Sequence, residues 1–280
     1  MSTGLNLRED APVPELRGHV QRFWQLQGAC DDLDDQLVVP DGCMGLVLSF
    51  GSPLEQVVAG KPAVARSNTL FIGEIRRPFT TRVRGGLELL GVQFCPGAAL
   101  AFVDEPSAAL VDRLADEAVL RRSLAREIAC TVHGADREDR LERLQAALVS
   151  ALAGRRRRGP SPLVRAAVGM LATEEGATRI EALADQLGVS RRQLERRFRA
   201  EIGVAPKTLA MVLRFRRVLG AIERRSEGWP AMALRCGYFD QAHLIRDFKR
   251  FTGRTPGSHP APGAPFTELQ LDAGASDHRP

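Results

Sequence analysis

The last third of the chain repeats itself, and that repeat constrains the fold more than any other feature. Ile180, Leu183, Ala184, Leu187, Gly188, Ser190, Leu194, Arg196, Phe198, Gly203 and Pro206 return as Trp229, Met232, Ala233, Cys236, Gly237, Asp240, Leu244, Arg246, Phe248, Gly253 and Pro256. The offset is 49 residues up to the glycine and 50 after it, because Gly237-Tyr238-Phe239-Asp240 carries one residue more than Gly188-Val189-Ser190. A period of this size marks one supersecondary unit used twice.

Each copy reads as helix, tight turn, helix. In the first, apolar residues at 180, 183, 184 and 187 share one helical face. Gly188 can take the left-handed conformation that closes a helix, and Ser190 offers a side-chain oxygen to the free amides of the next one. Asp240 does the same in the second copy. Leu194 with Phe198, and Leu244 with Phe248 and Phe251, recur at three or four residues and face inward, which turns the residues between them outward. Lys207 to Arg225 reads as one further helix between the copies; its roughly 18 residues span about 27 Å, enough to hold two second helices near the ~34 Å pitch of DNA.

The outward residues suit a major groove. In a helix-turn-helix the second helix reads bases, arginine forking onto guanine and glutamine onto adenine, while other basic residues take phosphates. Arginine abundance alone is a weak sign, since 36 arginines against 3 lysines are spread over the whole chain. Charge by segment is stronger: residues 160–257 hold 18 basic and 10 acidic residues, whereas residues 1–154 hold 16 and 21. The basic excess sits with the repeat, as phosphate contact requires.

These residues resemble the AraC/XylS family of bacterial transcription regulators. The match is carried by Leu183-Ala184 to Gly188-Val189-Ser190, Arg192 to Phe198, Gly203-Val204-Ala205-Pro206, Ala233 to Tyr238, and Phe248 to Pro256. The resemblance implies an all-α domain over 163–257, two helix-turn-helix units joined by a long helix. It places base contacts at Arg192, Glu195 and Arg196 in the first unit and at Gln241, Ala242, His243 and Arg246 in the second. Arg191, Arg199, Lys249 and Arg250 fall to phosphates. Ala242 departs from a more usual polar residue and can offer a thymine methyl contact at most.

Upstream, the pattern is β. Gln36–Pro40, Gly45–Phe50, Gln56–Val58, Thr69–Ile72, Phe79–Arg84 and Leu87–Phe94 are short and partly alternating, with turn residues between them. A small barrel or sandwich is expected over 1–104, making the whole chain α+β. Around Pro40 to Leu48 and Leu90 to Ala98 the sequence is similar to the cupin-like (DUF6597-type) sensing domains that precede AraC-type units. His19, Asp41 and Gln93 are the candidate polar residues of a pocket, against the alternative of turn and structural hydrogen-bond roles. From Pro106 the pattern turns helical, with Leu110, Leu114, Leu120, Leu124 and Ile128, then Leu141, Leu144, Leu148 and Leu152. Residues 105–153 are expected to pack on the front domain or to dimerise, 154–162 to form an Arg-rich linker, and 258–280 a disordered tail.

Other classes are weaker. Cys30, Cys43, Cys95, Cys130 and Cys236 are odd in number and form no C-x-x-C pair, so buried thiols are expected, a redox or metal sensor built on Cys30, Cys43 and Cys95 being the alternative. The apolar stretch Leu89–Val103 is broken by Gln93, Pro96 and two glycines, and Met1 to Asp10 has no signal pattern, so a cytoplasmic protein without membrane contact is expected. No metalloprotease, hydrolase or phosphate-loop motif appears, so no catalytic residue, metal or cofactor is assigned. Alternatives to a ligand-controlled regulator are a DNA-binding protein whose front domain only dimerises, and a DNA-repair enzyme fused to AraC-type units. The expected partners are double-stranded promoter or operator DNA, an unidentified small-molecule effector, RNA polymerase and a second copy of the chain.

Overall fold

A computed structural model describes residues 5–29, 35–58, 63–66, 68–115, 124–154, 159–224 and 228–258. The front part contains β1 (Asn6–Asp10), β2 (Val20–Ala29), β3 (Gln36–Val38), β4 (Gly45–Ser49), β5 (Glu55–Val57), β6 (Val64–Ala65), β7 (Thr69–Ile72), β8 (Phe79–Arg82) and β9 (Gly86–Phe94). A short helix α1 (Ser107–Leu110) and strand β10 (Leu114–Ala115) follow, then α2 (Leu124–His133) and α3 (Arg140–Gly154).

The strands form two antiparallel sheets, a six-stranded one in the order β1-β2-β9-β4-β7-β10 and a four-stranded one in the order β3-β8-β5-β6. Of the two architectures expected, the described residues make the sandwich, without a closed barrel. Alternation along the large sheet explains its layering. Trp24, Leu26, Val47 and Leu89 go to the cluster shared with Leu54 and Val83, which adjoin β5 and β8 of the small sheet. Phe23, Leu46, Leu48, Leu90, Val92 and Phe94 go to the opposite cluster, which Ile128, Val132, Leu144 and Leu148 complete. A two-residue side-chain period thus serves two cores at once. The large sheet is therefore the middle layer, with α2 and α3 over one face and the small sheet over the other.

Two expectations need correction here. β1 and the ten-residue β2 are absent from the sequence reading, although β2 pairs with both β1 and β9. The stretch after Pro106 is not continuously helical, since Leu114 lies in β10, paired with Ile72. Leu144 and Leu148 are buried within the chain's own core. Leu120, the side chain of Leu124, Cys30, Arg155–Arg158, Arg225 and the tail beyond Ser258 lie outside the described residues.

The rear part runs α4 (Pro162–Thr173), α5 (Ile180–Gln186), α6 (Arg191–Ile202), α7 (Pro206–Arg224), α8 (Trp229–Arg235) and α9 (Gln241–Thr252). Its two turns are built alike. After α5, Gly188 has φ +65° and the amide of Val189 donates to the carbonyl of Ala184 at 3.1 Å; after α8, Gly237 has φ +78° and Tyr238 donates to Ala233 at 2.9 Å. This six-to-one bond with a left-handed glycine satisfies helix carbonyls that would otherwise lack donors. Leu194, Phe198 and Ile202 close the core of the first unit with Leu183 and Ala184, and Leu244, Phe248 and Phe251 close that of the second with Met232 and Ala233. Both cores rest on α7, whose 19 residues span about 28 Å.

The two parts share a seam. Val39 of the front part, 2% exposed, belongs to the core of the second unit. Gly42 lies so close to α7 that a Cβ there would sit 2.8 Å from Leu209 Cδ1, and its φ of +80° also favours glycine.

Candidate nucleic-acid interface and front-domain cavity

The second helices of the two units start on side-chain caps. In α6, Ser190 accepts from the amide of Gln193 and Gln193 accepts in return from the amide of Ser190 at 3.0 Å, a capping box. In α9, Asp240 Oδ1 accepts from the amide of His243 at 2.6 Å. Such caps commonly contribute about 1 kcal/mol each. They also fix where α6 and α9 begin, and the first two turns of these helices carry the candidate base readers.

Arg192, Arg196 and Ala242 are exposed, as are Arg191, Arg199, Arg246, Lys249 and Arg250; Glu195, Gln241 and His243 are half-buried. The environments differ between the units. Glu195 bridges Arg191 at 3.0 Å and Arg199 at 3.4 Å, and Arg191 also reaches Glu181 at 2.5 Å. Exposed pairs of this kind contribute little to stability, but they set the three side chains side by side along one face. In the second unit, His243 lies edge-on to Tyr238 with ring centroids 5.0 Å apart and 3.8 Å from Asp247 Oδ2.

Asp247 and Phe239 escaped the sequence reading. Asp247 is only 6% exposed, and burial first, against the pull of His243 and Arg214, raises its carboxyl above the ordinary range. Phe239, the extra residue of the second turn, is 85% exposed directly ahead of the cap of α9. The length difference between the two turns was a signal for Phe239; nothing in the spacing marks Asp247, which occupies an inward position otherwise apolar.

In the front part, the structure brings two of the three pocket candidates together. Gln93 donates its Nε2 to Asp41 Oδ2 at 2.5 Å, and Asp41 Oδ1 accepts from the amide of Cys43 at 2.9 Å. Arg22 completes the group, donating its Nε to Gln93 Oε1 at 2.9 Å and pairing with Glu9. Arg22, Asp41 and Gln93 line one side of a cavity of about 90 Å³, and Trp24, Val38, Val39, Met44, Val47 and Phe79 belong to its largely apolar remainder. Trp24 can lie flat on the sheet because residue 91 is glycine, where a Cβ would come within 2.0 Å of the indole. His19 is elsewhere, with its ring edge-on to Phe102 at 6.4 Å.

Burial raises the Asp41 carboxyl, opposed by Arg216 and by its own hydrogen bonds, and pushes the Cys43 thiol well up. Glu74, next to the cavity wall residue Ile75, is fully buried with neither carboxyl oxygen bonded among the described residues, and burial raises it to about 8. Cys43, Cys95, Cys130 and Cys236 are in no disulfide, and among the described residues no cluster of three or more His, Cys, Asp or Glu could hold a metal. No helix among the described residues is long and apolar enough to cross a membrane.

Two capped helices of the same design, each presenting arginines outward from a basic domain, define a DNA-binding protein with paired helix-turn-helix units. A helix-turn-helix domain model matches residues 183–259, and a domain of unknown function, DUF6597, matches residues 8–116. The chain carries a helix-turn-helix domain behind a DUF6597 domain and is a DNA-binding regulator of transcription. Among solved structures, an AraC-type transcriptional regulator from Chromobacterium violaceum is 23% identical over 41% of this chain and 94% of its own, with a TM-score of 0.31. The C-terminal domain of AraT, a response regulator from Geobacillus stearothermophilus, is 22% identical over 42% of this chain and 94% of its own, with a TM-score of 0.34. ToxT from Vibrio cholerae, bound to (E)-4-(8-methylnaphthalen-1-yl)but-3-enoic acid, is 9% identical over 98% of this chain and 100% of its own, with a TM-score of 0.46. No curated protein matches the chain.

Proposed function

We propose that the chain reads two successive major-groove segments of promoter DNA and that a small molecule in the front-domain cavity changes how the readers are presented. The observation that carries this reading is the double role of one segment. Val38, Val39, Asp41 and Cys43 line the cavity, while Val39 is buried in the core of the second unit and the carbonyl of Asp41 accepts from Arg216 of α7 at 3.2 Å. A ligand that favours one position of this segment therefore favours one placement of α7, the condition for coupling.

Within this reading, Arg192, Glu195 and Arg196 contact bases in the first segment, and Gln241, Ala242, His243 and Arg246 in the second. Arg191, Arg199, Lys249 and Arg250 hold phosphates. Phe239 joins Ala242 to make an apolar spot suited to a thymine methyl. We assign 1–104 to sensing, 105–153 to packing around it, 154–162 to the connection and 163–257 to DNA. No enzymatic step is assigned.

The test is selection of genomic fragments by the full chain at about 0.15 M salt, where specific and non-specific binding separate. Enrichment of fragments sharing one bipartite motif is the expected result. Uniform, salt-labile retention of all fragments, with and without the cavity occupied, would contradict it.

A further inference from the structure

We infer that Arg214 is a positioning residue that fixes the spacing between the two DNA readers, by clasping the loop between α4 and α5 of the first unit to the turn of the second. This deepens the double-reader proposal and rests on it.

A shared helix alone is an incomplete mount. Both cores rest on α7 through apolar side chains, and apolar contact has no direction. A small rocking of either unit about α7 changes where its reader meets DNA. A directional contact that spans both units stops such rocking, and Arg214 of α7 makes one.

On the side of the first unit, Arg214 Nη1 donates to the carbonyl of Gly176 at 3.3 Å. Gly176 lies in the loop that closes α4, whose core is shared with α5 and α6. Its amide donates to the carbonyl of Leu171 at 2.8 Å, and its φ is +76°. The loop is pressed onto α7 so closely that a Cβ at Gly176 would lie 2.0 Å from the carbonyl oxygen of Ala210. Arg217 secures the same loop, its Nε 2.9 Å from Glu175 Oε2.

On the side of the second unit, the Arg214 guanidinium carbon lies 5.4 Å from the centre of the Tyr238 ring, within cation–π range. Tyr238 is buried in the second core. The turn itself comes near as well, since a Cβ on Gly237 would be 3.5 Å from both Arg214 Cδ and Ala177 Cβ. Asp247 of α9 adds a buried carboxyl drawn by the same guanidinium. One side chain thus holds a backbone carbonyl of the first unit and an aromatic ring of the second.

The consequence is a fixed distance between half-sites. One base pair added between them moves the second by about 3.4 Å along the axis and turns it by about 35° around it. Clasped readers cannot follow that displacement, whereas loosened ones follow it in part.

The experiment takes the full chain and the bipartite site obtained by fragment selection, with one base pair inserted or removed between the half-sites, and reads affinity by anisotropy of labelled duplexes. Wild type should lose about tenfold off the selected spacing. Arg214→Met keeps the aliphatic stem beside Gly237 but has neither donor nor charge; it should lose less than about threefold there, and should bind duplexes carrying either half-site alone as wild type does. Should that variant lack native circular dichroism, Arg214→Ala, a good helix former, replaces it. An equal response of wild type and variant to the altered spacing, or a variant weakened alike at every spacing and on single half-sites, would overturn the inference while leaving the double reader standing. Absence of any bipartite site for wild type would remove both.

Discussion

Ser107 donates its hydroxyl to the carbonyl oxygen of Ala200 across 2.9 Å, tying the helix that follows the front sheets to the last turn of the first reading helix. Val39 makes the corresponding tie at the second unit, by burial instead of a hydrogen bond. The front part is thus fastened to both helix-turn-helix units. Val39→Ala should destabilise the second unit by about 2 kcal/mol, through lost apolar burial and the space left. Urea unfolding followed at Trp229, which packs against that core, checks this. An unchanged midpoint would mean that the seam contributes nothing. Because Val39 is missing from it, a fragment of residues 160–258 should unfold at lower urea than the same residues in the full chain.

Glu74 gives a pH dependence with a defined sign. Burial first, then the charges of Asp41 and Asp112, raise its carboxyl from an ordinary 4.5 to about 8. Between those values the unfolded chain has released a proton that the folded chain keeps, so stability falls as pH rises through this window, by up to about 1.4 kcal/mol per unit. Glu74→Gln removes the titration. The stability difference between wild type and variant should therefore move in the variant's favour from pH 5 to pH 8, measured by urea midpoints. A constant difference would show that Glu74 titrates normally in the fold.

Arg196 and Arg246 occupy equivalent positions in the two copies and are both exposed. Replacing either with alanine should leave the melting temperature unchanged and weaken specific binding by about 1 to 3 kcal/mol, with relaxed preference at one base pair. Base preference is read by selection from a randomised site. If both variants lose affinity equally on every sequence, they hold phosphates, and the assignment as readers fails.

Phe239 supplies a test in which one atom group of the DNA is changed. Replacing thymine by deoxyuridine removes only the 5-methyl group, so within the second half-site one such replacement should weaken binding several-fold for wild type and have no effect on Phe239→Ser. Loss of the same size for both proteins would show that the methyl group is read elsewhere.

The rear domain was legible because its signals are local. Gly188, Gly237, Ser190 and Asp240 dictate turns and caps by their own chemistry, and the repeat states each signal twice. The front domain was less legible where burial and polarity part company. β2 was missed because Arg22, Gln25 and Gln27 interrupt its apolar pattern, yet Arg22 is 7% exposed, held by Glu9 and Gln93 from neighbouring strands. No local pattern announces such a pair. Leu114 joined a helical stripe by spacing alone, while its strand is defined by pairing with Ile72, far away in sequence. Asp41 and Gln93 were found through the motif that carries them; that they meet each other, and that Arg22 joins them, depends on the register of β2, β9 and β4. The seam is the extreme case. Val39 reads as the end of a strand, and nothing in its neighbours says that its core belongs to residues more than 170 positions later.

The central claim, two readers set by α7 on one DNA face, is tested most directly by footprinting the purified full chain on a selected fragment. The account expects two protected segments centred about one helical turn, ~34 Å, apart on the same face, with Arg196→Ala exposing one segment and Arg246→Ala the other. A single protected segment, or two whose protection falls together in both variants, would contradict it.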